Sequence, residues 1–253
     1  MLRTEEVAPR LRRVVLGGPA VGEYLAVHPD STDTYVKLQF DGPEGDTVQR
    51  TYTIRWVDPQ AGELAIDFVT HGDSGVAGPW ALRAAPGDTL RFRGPGGAYR
   101  PKPEADHHLF VGDESALPAI AASLAVLEPG AAATAFLEVD GPDHEIDLPT
   151  EANLRVHWLH RGDAGPGTTT LLDDAVRAWE FPSGRVQAFV HGESALLKSV
   201  RPFLMAPSAG SEGTGRVARS DISVSAYWRR GETEEGFRDW KRQQDDAVMR
   251  PAP

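Results

Sequence analysis

The sequence predicts a β domain followed by an α/β domain: an N-terminal antiparallel β-barrel, then a mostly parallel sheet layered with helices. Three observations carry that expectation. Through about residue 100, short alternating segments are separated by Gly-, Pro- and Asp-rich turns. After Asp106, strand-like runs alternate with apolar or amphipathic helical runs. Between them stands "PKPEAD", whose two prolines close the first pattern. The boundary falls near residue 103, giving a first domain over 1–103 and a second over 104–253.

The barrel segments follow in order. "LRRVVL" alternates in part from Leu11 to Leu16. "TYVKLQF" alternates well, with Tyr35, Lys37 and Gln39 on one face and Val36, Leu38 and Phe40 on the other. "RTYTIRWV", "GELAIDFVTH" and "DTLRFRGP" complete the set, punctuated by "DGPEGD", "VDPQAGE" and "GPGG". A short helix is expected at "GPWALRAA", where Pro79 suits a first turn. In the second domain, "HHLFVGDESALPAIAASL" reads as strand, turn and apolar helix. "AATAFLEVDG" and "LRVHWLHR" read as strands, and "TTLLDDAVRAWEFP" as an amphipathic helix with Leu172, Val176 and Trp179 in phase. "RVQAFVHGESALLKSVRPFLM" repeats strand then helix, "ISVSAYWRRG" is a last strand, and a polar helix with a loose tail ends the chain.

Composition narrows the function. There are no cysteines, which excludes disulfides, thiolate metal sites and cysteine nucleophiles. Redox chemistry would therefore need a bound cofactor. A formal net charge of −11 argues against non-specific nucleic-acid binding, which needs a basic footprint. No run approaches the roughly 20 apolar residues that span a bilayer, and the N-terminus lacks the apolar core of a secretory signal, so a cytoplasmic protein is expected. His107–His108 is the sole adjacent histidine pair and is read as domain-junction surface rather than metal ligation.

Five motifs can carry chemistry, each with a plain structural alternative. In "RTYTIR", Tyr52 offers a flat face, Thr53 a hydroxyl, and Arg50 and Arg55 positive charge for phosphate; an exposed strand explains the same residues. In "DFVTHGDSGVAGPWA", a strand ends at His71 and a glycine turn opens a helix, which suits an anion or merely joins two elements. "GDESALP" places Asp113, Glu114 and Ser115 after a strand, as nucleotide contacts or helix caps. "HGES", with Gly192 and Glu193, echoes it and would sit beside it on the same sheet edge. In "YWRRG", Tyr227 and Trp228 could cover a planar group and Arg229 and Arg230 add charge; core aromatics and a solvated charge run are the alternative.

Taken together in chain order, these motifs resemble the siderophore-interacting proteins: FAD-dependent ferric-siderophore reductases within the ferredoxin-reductase-like flavoproteins. The resemblance runs from about Arg13 to Lys241, and "RTYTIR", "DFVTHG" with "WA", and "GDESALPAI" are its most specific pieces. It implies that Arg50, Tyr52, Thr53 and Arg55 bind flavin, with Thr53 near the ring. Asp67, Phe68, Val69, His71 and Gly72 would lie along the ribityl chain and diphosphate. Gly75, Val76, Ala77 and Trp80 match the phosphate turn and following helix. Asp113, Ser115, Gly192 and Glu193 match the nicotinamide-nucleotide edge, and Tyr227 and Trp228 the closing aromatics. Three positions depart from the pattern: Gly96 in place of an arginine, His191 in place of an alanine, and Ala226 in place of a glycine.

The implied activity passes electrons from NADPH or NADH through FAD to Fe(III) held by a siderophore, with no catalytic side chain beyond those that position the flavin. Reduced ferredoxin is an alternative donor. Lys37, Arg229 and Arg230, with Arg100 as a further candidate, would capture an anionic ferric siderophore. The resemblance implies a monomer. A general NAD(P)H:flavin or quinone oxidoreductase, a non-catalytic siderophore or flavin carrier, and a cofactor-free protein of the same fold remain as alternatives.

Overall fold

The structure is a computed structural model that describes residues 1–26, 30–42, 45–70, 72, 75–207 and 215–249. Six antiparallel strands form the first sheet: β1 (Arg3–Ala8), β2 (Leu11–Gly17), β3 (Tyr35–Asp41), β4 (Thr47–Asp58), β5 (Glu63–Val69) and β6 (Arg91–Gly96). Their order is β1-β2-β5-β4-β3-β6. Val36, Leu38 and Phe40 of β3 are buried and Lys37 is exposed, as the alternation predicts. Side chains from β2, β3, β4, β5 and β6 meet in one core, so the sheet curls around them in the manner of a barrel. Two helices close it: α1 (Pro19–Ala26), through Val21 and Tyr24, and α2 (Ala77–Arg83), through Ala77 and Ala81.

The second sheet holds β7 (His107–Asp113), β8 (Ala132–Val139), β9 (Asn153–His160), β10 (Val186–Glu193) and β11 (Ile222–Trp228). All pairs are parallel, in the order β11-β10-β7-β8-β9. Helices α3 (Leu117–Leu124), α4 (Leu171–Ala178) and α5 (Ser194–Met205) lie between strands, and α6 (Glu234–Met249) follows the last strand. Two apolar cores, one on each face, explain the near-continuous hydrophobic runs of β7 and β10. The chain winds one way from β7 to β9 and the other way from β10 to β11. The turns after β7 and β10 therefore flank the switch point at which such sheets take ligands.

One register detail positions the site. β4 pairs with β3 from Thr47 to Thr53, but with β5 only from Ile54 to Asp58. β5 beyond Ile66 pairs only with β2. The two strands thus splay apart past the Ile54–Ile66 pair, leaving a notch with β4 residues 50–53 on one arm and β5 residues 67–69 on the other. A bulge between Ile54 and Trp56 makes Arg55 the extra residue at the apex.

Candidate functional site

The first arm of the notch carries three of the predicted cofactor residues. Tyr52 faces the core side of β4, its ring 4.4 Å from that of Phe68 on the opposite arm. Thr53 points to the other face of the strand. A planar group laid along this open backbone edge would meet both. Burial raises the Tyr52 phenol above its ordinary value, so it stays neutral. The Thr53 hydroxyl shares a hydrogen bond with Tyr227, at the end of β11. The two sheets therefore meet at the threonine singled out for the flavin ring.

Arg50 is held by the first turn of α6. Its guanidinium pairs with Glu235 at 2.5 Å and lies 3.8 Å from Glu234. Glu234 also accepts the backbone N–H of Thr51 at 3.0 Å, satisfying one donor of the open edge. Arg55 and Asp67 are buried at the apex. Asp67 accepts two hydrogen bonds from Arg13, at 2.7 and 2.8 Å, and lies 4.0 Å from Arg55. Asp67 is thus the counter-ion of two arginines. Burial pulls Arg55 below its ordinary value, against the attraction of Asp67, and its Nε has no hydrogen-bond partner.

Beyond Val69 the second arm continues into the glycine turn. His71 lies outside the described residues. Gly72 and Gly75 adopt φ values of 60° and 75°, which favour glycine, and no atom comes within 4 Å of where a Cβ would stand. Val76 precedes α2 without a side-chain cap for its first turn. Trp80 packs on Phe40 and Phe68, which ties α2 to the notch. An open backbone cradle, a buried guanidinium whose Nε lacks a hydrogen-bond partner and a hydroxyl beside an aromatic ring form a donor set suited to a flavin dinucleotide.

The parallel sheet faces this notch with the turns after β7 and β10. Asp113 is a hub there. One carboxylate oxygen accepts from the Ser115 N–H and hydroxyl, at 2.9 and 2.5 Å. The other accepts from the Glu193 N–H at 2.9 Å and the Trp228 indole at 2.8 Å. Gly192 (φ 143°) is required beside it, because a Cβ would fall 2.7 Å from the Asp113 carboxylate. Burial raises Asp113 despite these donors. Glu193 in turn accepts from the N–H groups of Ala195 and Arg230. The two acidic turns do lie side by side, joined by the Asp113 carboxylate, which accepts from the Glu193 backbone. Trp228 is an anchor on Asp113, and Tyr227 is the aromatic that reaches the notch.

Among the cations, Lys37 is exposed and has no ion pair among the described residues. Its cross-strand neighbours are Thr51 and Arg93. Arg93 was missed in the sequence, where "LRFRGP" reads as strand only; its pairing with Lys37 appears once β6 is laid against β3. Arg229 sits over the Trp240 ring at 5.1 Å and 3.8 Å from Glu232, while Arg230 is exposed. Arg100 pairs with Asp30. His108 is buried within β7, unlike the surface position expected for the histidine pair.

A family model for the siderophore-interacting FAD-binding domain matches residues 43–99, and one for siderophore-interacting protein matches residues 105–231. The chain belongs to the siderophore-interacting protein family. An uncharacterized protein of Mycobacterium tuberculosis is 41% identical over 98% of this chain and 95% of its own length. Ferric vibriobactin reductase of Vibrio cholerae is 32% identical over 93% and 90%. A siderophore utilization protein from T. fusca superposes with a TM-score of 0.79 at 37% identity, over 92% of each chain. Ferredoxin–NADP+ reductase of Plasmodium falciparum shares the fold, with a TM-score of 0.64 at 11% identity over 89% of this chain and 94% of that one. This siderophore-interacting protein is therefore an FAD-binding flavoprotein of reductase-like fold. No helix among the described residues is long and apolar enough to cross a membrane.

Proposed function

We propose that the protein is a cytoplasmic, FAD-dependent ferric-siderophore reductase that takes electrons from NADH or NADPH. The supporting observation is the notch between β4 and β5, lined by the flavin motif and facing the nucleotide edge of the parallel sheet. FAD, when bound, accepts a hydride from the nicotinamide and gives single electrons to ferric iron. The chain's own residues hold and shield it. Arg50 and Arg55 would neutralise the diphosphate, with the main chain at Gly72 and Gly75 free for close approach. Tyr52 and Thr53 would fix the ring, and Tyr227 orients the Thr53 hydroxyl. Asp113 holds the turns after β7 and β10 as one rim for the nicotinamide. The working division is a FAD domain over 1–103 and a nucleotide domain over 104–253, acting as a monomer.

Substrate capture falls to local positive charge, because a net charge of −11 repels anionic chelates. Lys37 and Arg93, adjacent on the exposed face of β3 and β6, form the nearest unpaired cations to Thr51 and Thr53 along the strands. Arg229 and Arg230 would extend the patch from the end of β11. Fe(II) binds hard oxygen ligands more weakly than Fe(III), so reduction releases the metal without a protein ligand.

The test is an absorbance spectrum of the purified holoprotein, followed by anaerobic nicotinamide and then a ferric chelate. Bleaching by nicotinamide and re-oxidation by ferric siderophore is the expected sequence. Lys37→Ala with Arg229→Ala should raise the KM for the chelate and leave FAD content unchanged. Re-oxidation by quinone or free flavin alone, with ferric siderophores inert, would refute this assignment.

A further inference from the structure

A small cleft, open to solvent, lies between the two sheets and is not lined by Lys37 or Arg93. Arg10 and Val69 line it from the barrel, and Glu114, Asp140, His144 and Arg161 from the parallel sheet. Its polar wall is a buried ion cluster. Arg161, which follows β9, donates from Nη1 to Glu114 at 2.9 Å and approaches Asp140 at 2.5 Å through Nη2. Glu138 stands 3.8 Å from the same guanidinium and accepts from the Thr169 hydroxyl at 2.6 Å. Asp140 also pairs with Arg10 at 2.8 Å. The Arg161 side chain is 2% exposed, yet its Nε has no partner.

The winding of the sheet gives this cluster its meaning. β7 is the first strand of the doubly wound unit and β8 the second. In such sheets an acidic group after the second strand accepts from the adenosine ribose hydroxyls, while an arginine placed there takes a 2′-phosphate. Glu138 and Asp140 occupy that place. The arginine beside them is already shared among Glu114, Asp140 and Glu138. Three carboxylates face two guanidiniums, so the wall is anionic before any nucleotide arrives. A 2′-phosphate would add up to two further negative charges. It would have to take Arg161 from Glu114 and from the buried Glu138, whose only ion-pair partner among the described residues is that arginine, while Asp140 keeps Arg10. A ribose hydroxyl can donate to either carboxylate and disturbs nothing.

Resting on the proposed reading of the protein as a nicotinamide-dependent flavoprotein, we infer that its donor is NADH and that Glu138 and Asp140, with Arg161 held by Glu114, reject the 2′-phosphate of NADPH. The experiment uses the FAD-loaded protein. Anaerobic flavin bleaching is followed in a rapid mixer against NADH and NADPH. Calorimetry separately compares 5′-AMP with adenosine 2′,5′-bisphosphate, which reads binding without turnover.

NADH should be favoured in bleaching efficiency by about tenfold or more, the factor set by one poorly met charge. 5′-AMP should bind more tightly than the bisphosphate. Glu114→Gln with Asp140→Asn frees Arg161 and should shrink both ratios toward unity, by a gain for the phosphorylated ligand. Equal use or preference of NADPH by the wild type overturns the inference and leaves the functional proposal intact, and so do ratios unmoved in a folded double variant. If neither nucleotide bleaches the flavin and neither adenylate binds, the nicotinamide-dependent reading itself falls and takes the inference with it.

Discussion

His191 gives the sharpest test of how β10 and β11 pack beside the site. Its ring is stacked on Phe189, with centroids 3.6 Å apart, and meets Tyr227 edge-on at 5.0 Å. Nε2 is paired with the Ser223 hydroxyl at 2.9 Å, and Nδ1 has no partner. Burial, with a smaller push from Lys241, lowers its pKa to about 3. An unfolded histidine titrates near 6.5. Between those values the unfolded chain binds the extra proton and the folded chain does not. Stability therefore rises with pH across the window. The neutral ring's contribution is complete above about 6.5 and is lost as pH falls. At pH 5 the gap of roughly 1.5 units is worth about 2 kcal/mol. His191→Phe keeps a flat ring between Phe189 and Tyr227 and removes the titrating site. It leaves the Ser223 hydroxyl short of a partner, which costs about 1 kcal/mol at every pH. Urea denaturation at pH 7.5 and pH 5 separates the two effects. The wild type should lose about 2 kcal/mol more than the variant on acidification, or roughly 4–8 °C in Tm. Parallel pH dependence would refute a neutral, buried His191.

Three further predictions concern the same surfaces. Asp113→Asn would turn an amide donor toward either the Ser115 pair or the Trp228 indole and Glu193 N–H; about 2–4 kcal/mol of stability should be lost, with FAD still bound, measured by thermal melting and flavin absorbance. Asp67→Asn removes the counter-ion of Arg13 and Arg55 and should destabilise the barrel by about 3–5 kcal/mol, read as a fall in denaturation midpoint. Glu235→Gln removes the half-exposed one of the two carboxylates beside Arg50 and should tighten FAD by no more than about fivefold, followed by quenching of flavin fluorescence; weaker binding would mean that the glutamate orients the arginine for the diphosphate.

The parts legible in the sequence were those written in local periodicity. β3 alternates in two faces, and the runs after His107 alternate strand with helix, so architecture followed from pattern. β1 was not seen, because "RTEEVA" buries little besides Ala8 and carries no apolar face. α1 was not seen either, although Pro19 after two glycines is a helix-start signal, with Val21 and Tyr24 three apart. α4 ends at Ala178, and Trp179 leaves the helix in extended conformation, which periodicity alone does not mark. Long-range pairings were the least visible. Nothing near Asp67 in the chain announces Arg13, and nothing near Trp228 announces Asp113. The bulge at Arg55 arises where β4 changes partner, which is a tertiary event.

That change of partner accounts for the arrangement of the whole site. A strand that loses its neighbour exposes backbone donors, an arrangement proteins cover or exploit. Here the exposed stretch is the one that carries Arg50, Tyr52 and Thr53, and its cover is partial. Glu234 satisfies the Thr51 N–H, and burial raises that carboxyl above its ordinary value, which weakens its hold as an anion on the edge. At the apex the bulge leaves Arg55 with one distant carboxylate and an unpaired Nε. A strand paired along its full length would have no open backbone edge beside Tyr52 and Thr53 and no incompletely paired cation below it. The splay, the bulge and the incomplete pairing of Arg55 are thus one structural feature, and each would be a defect unless an anionic planar guest completed it.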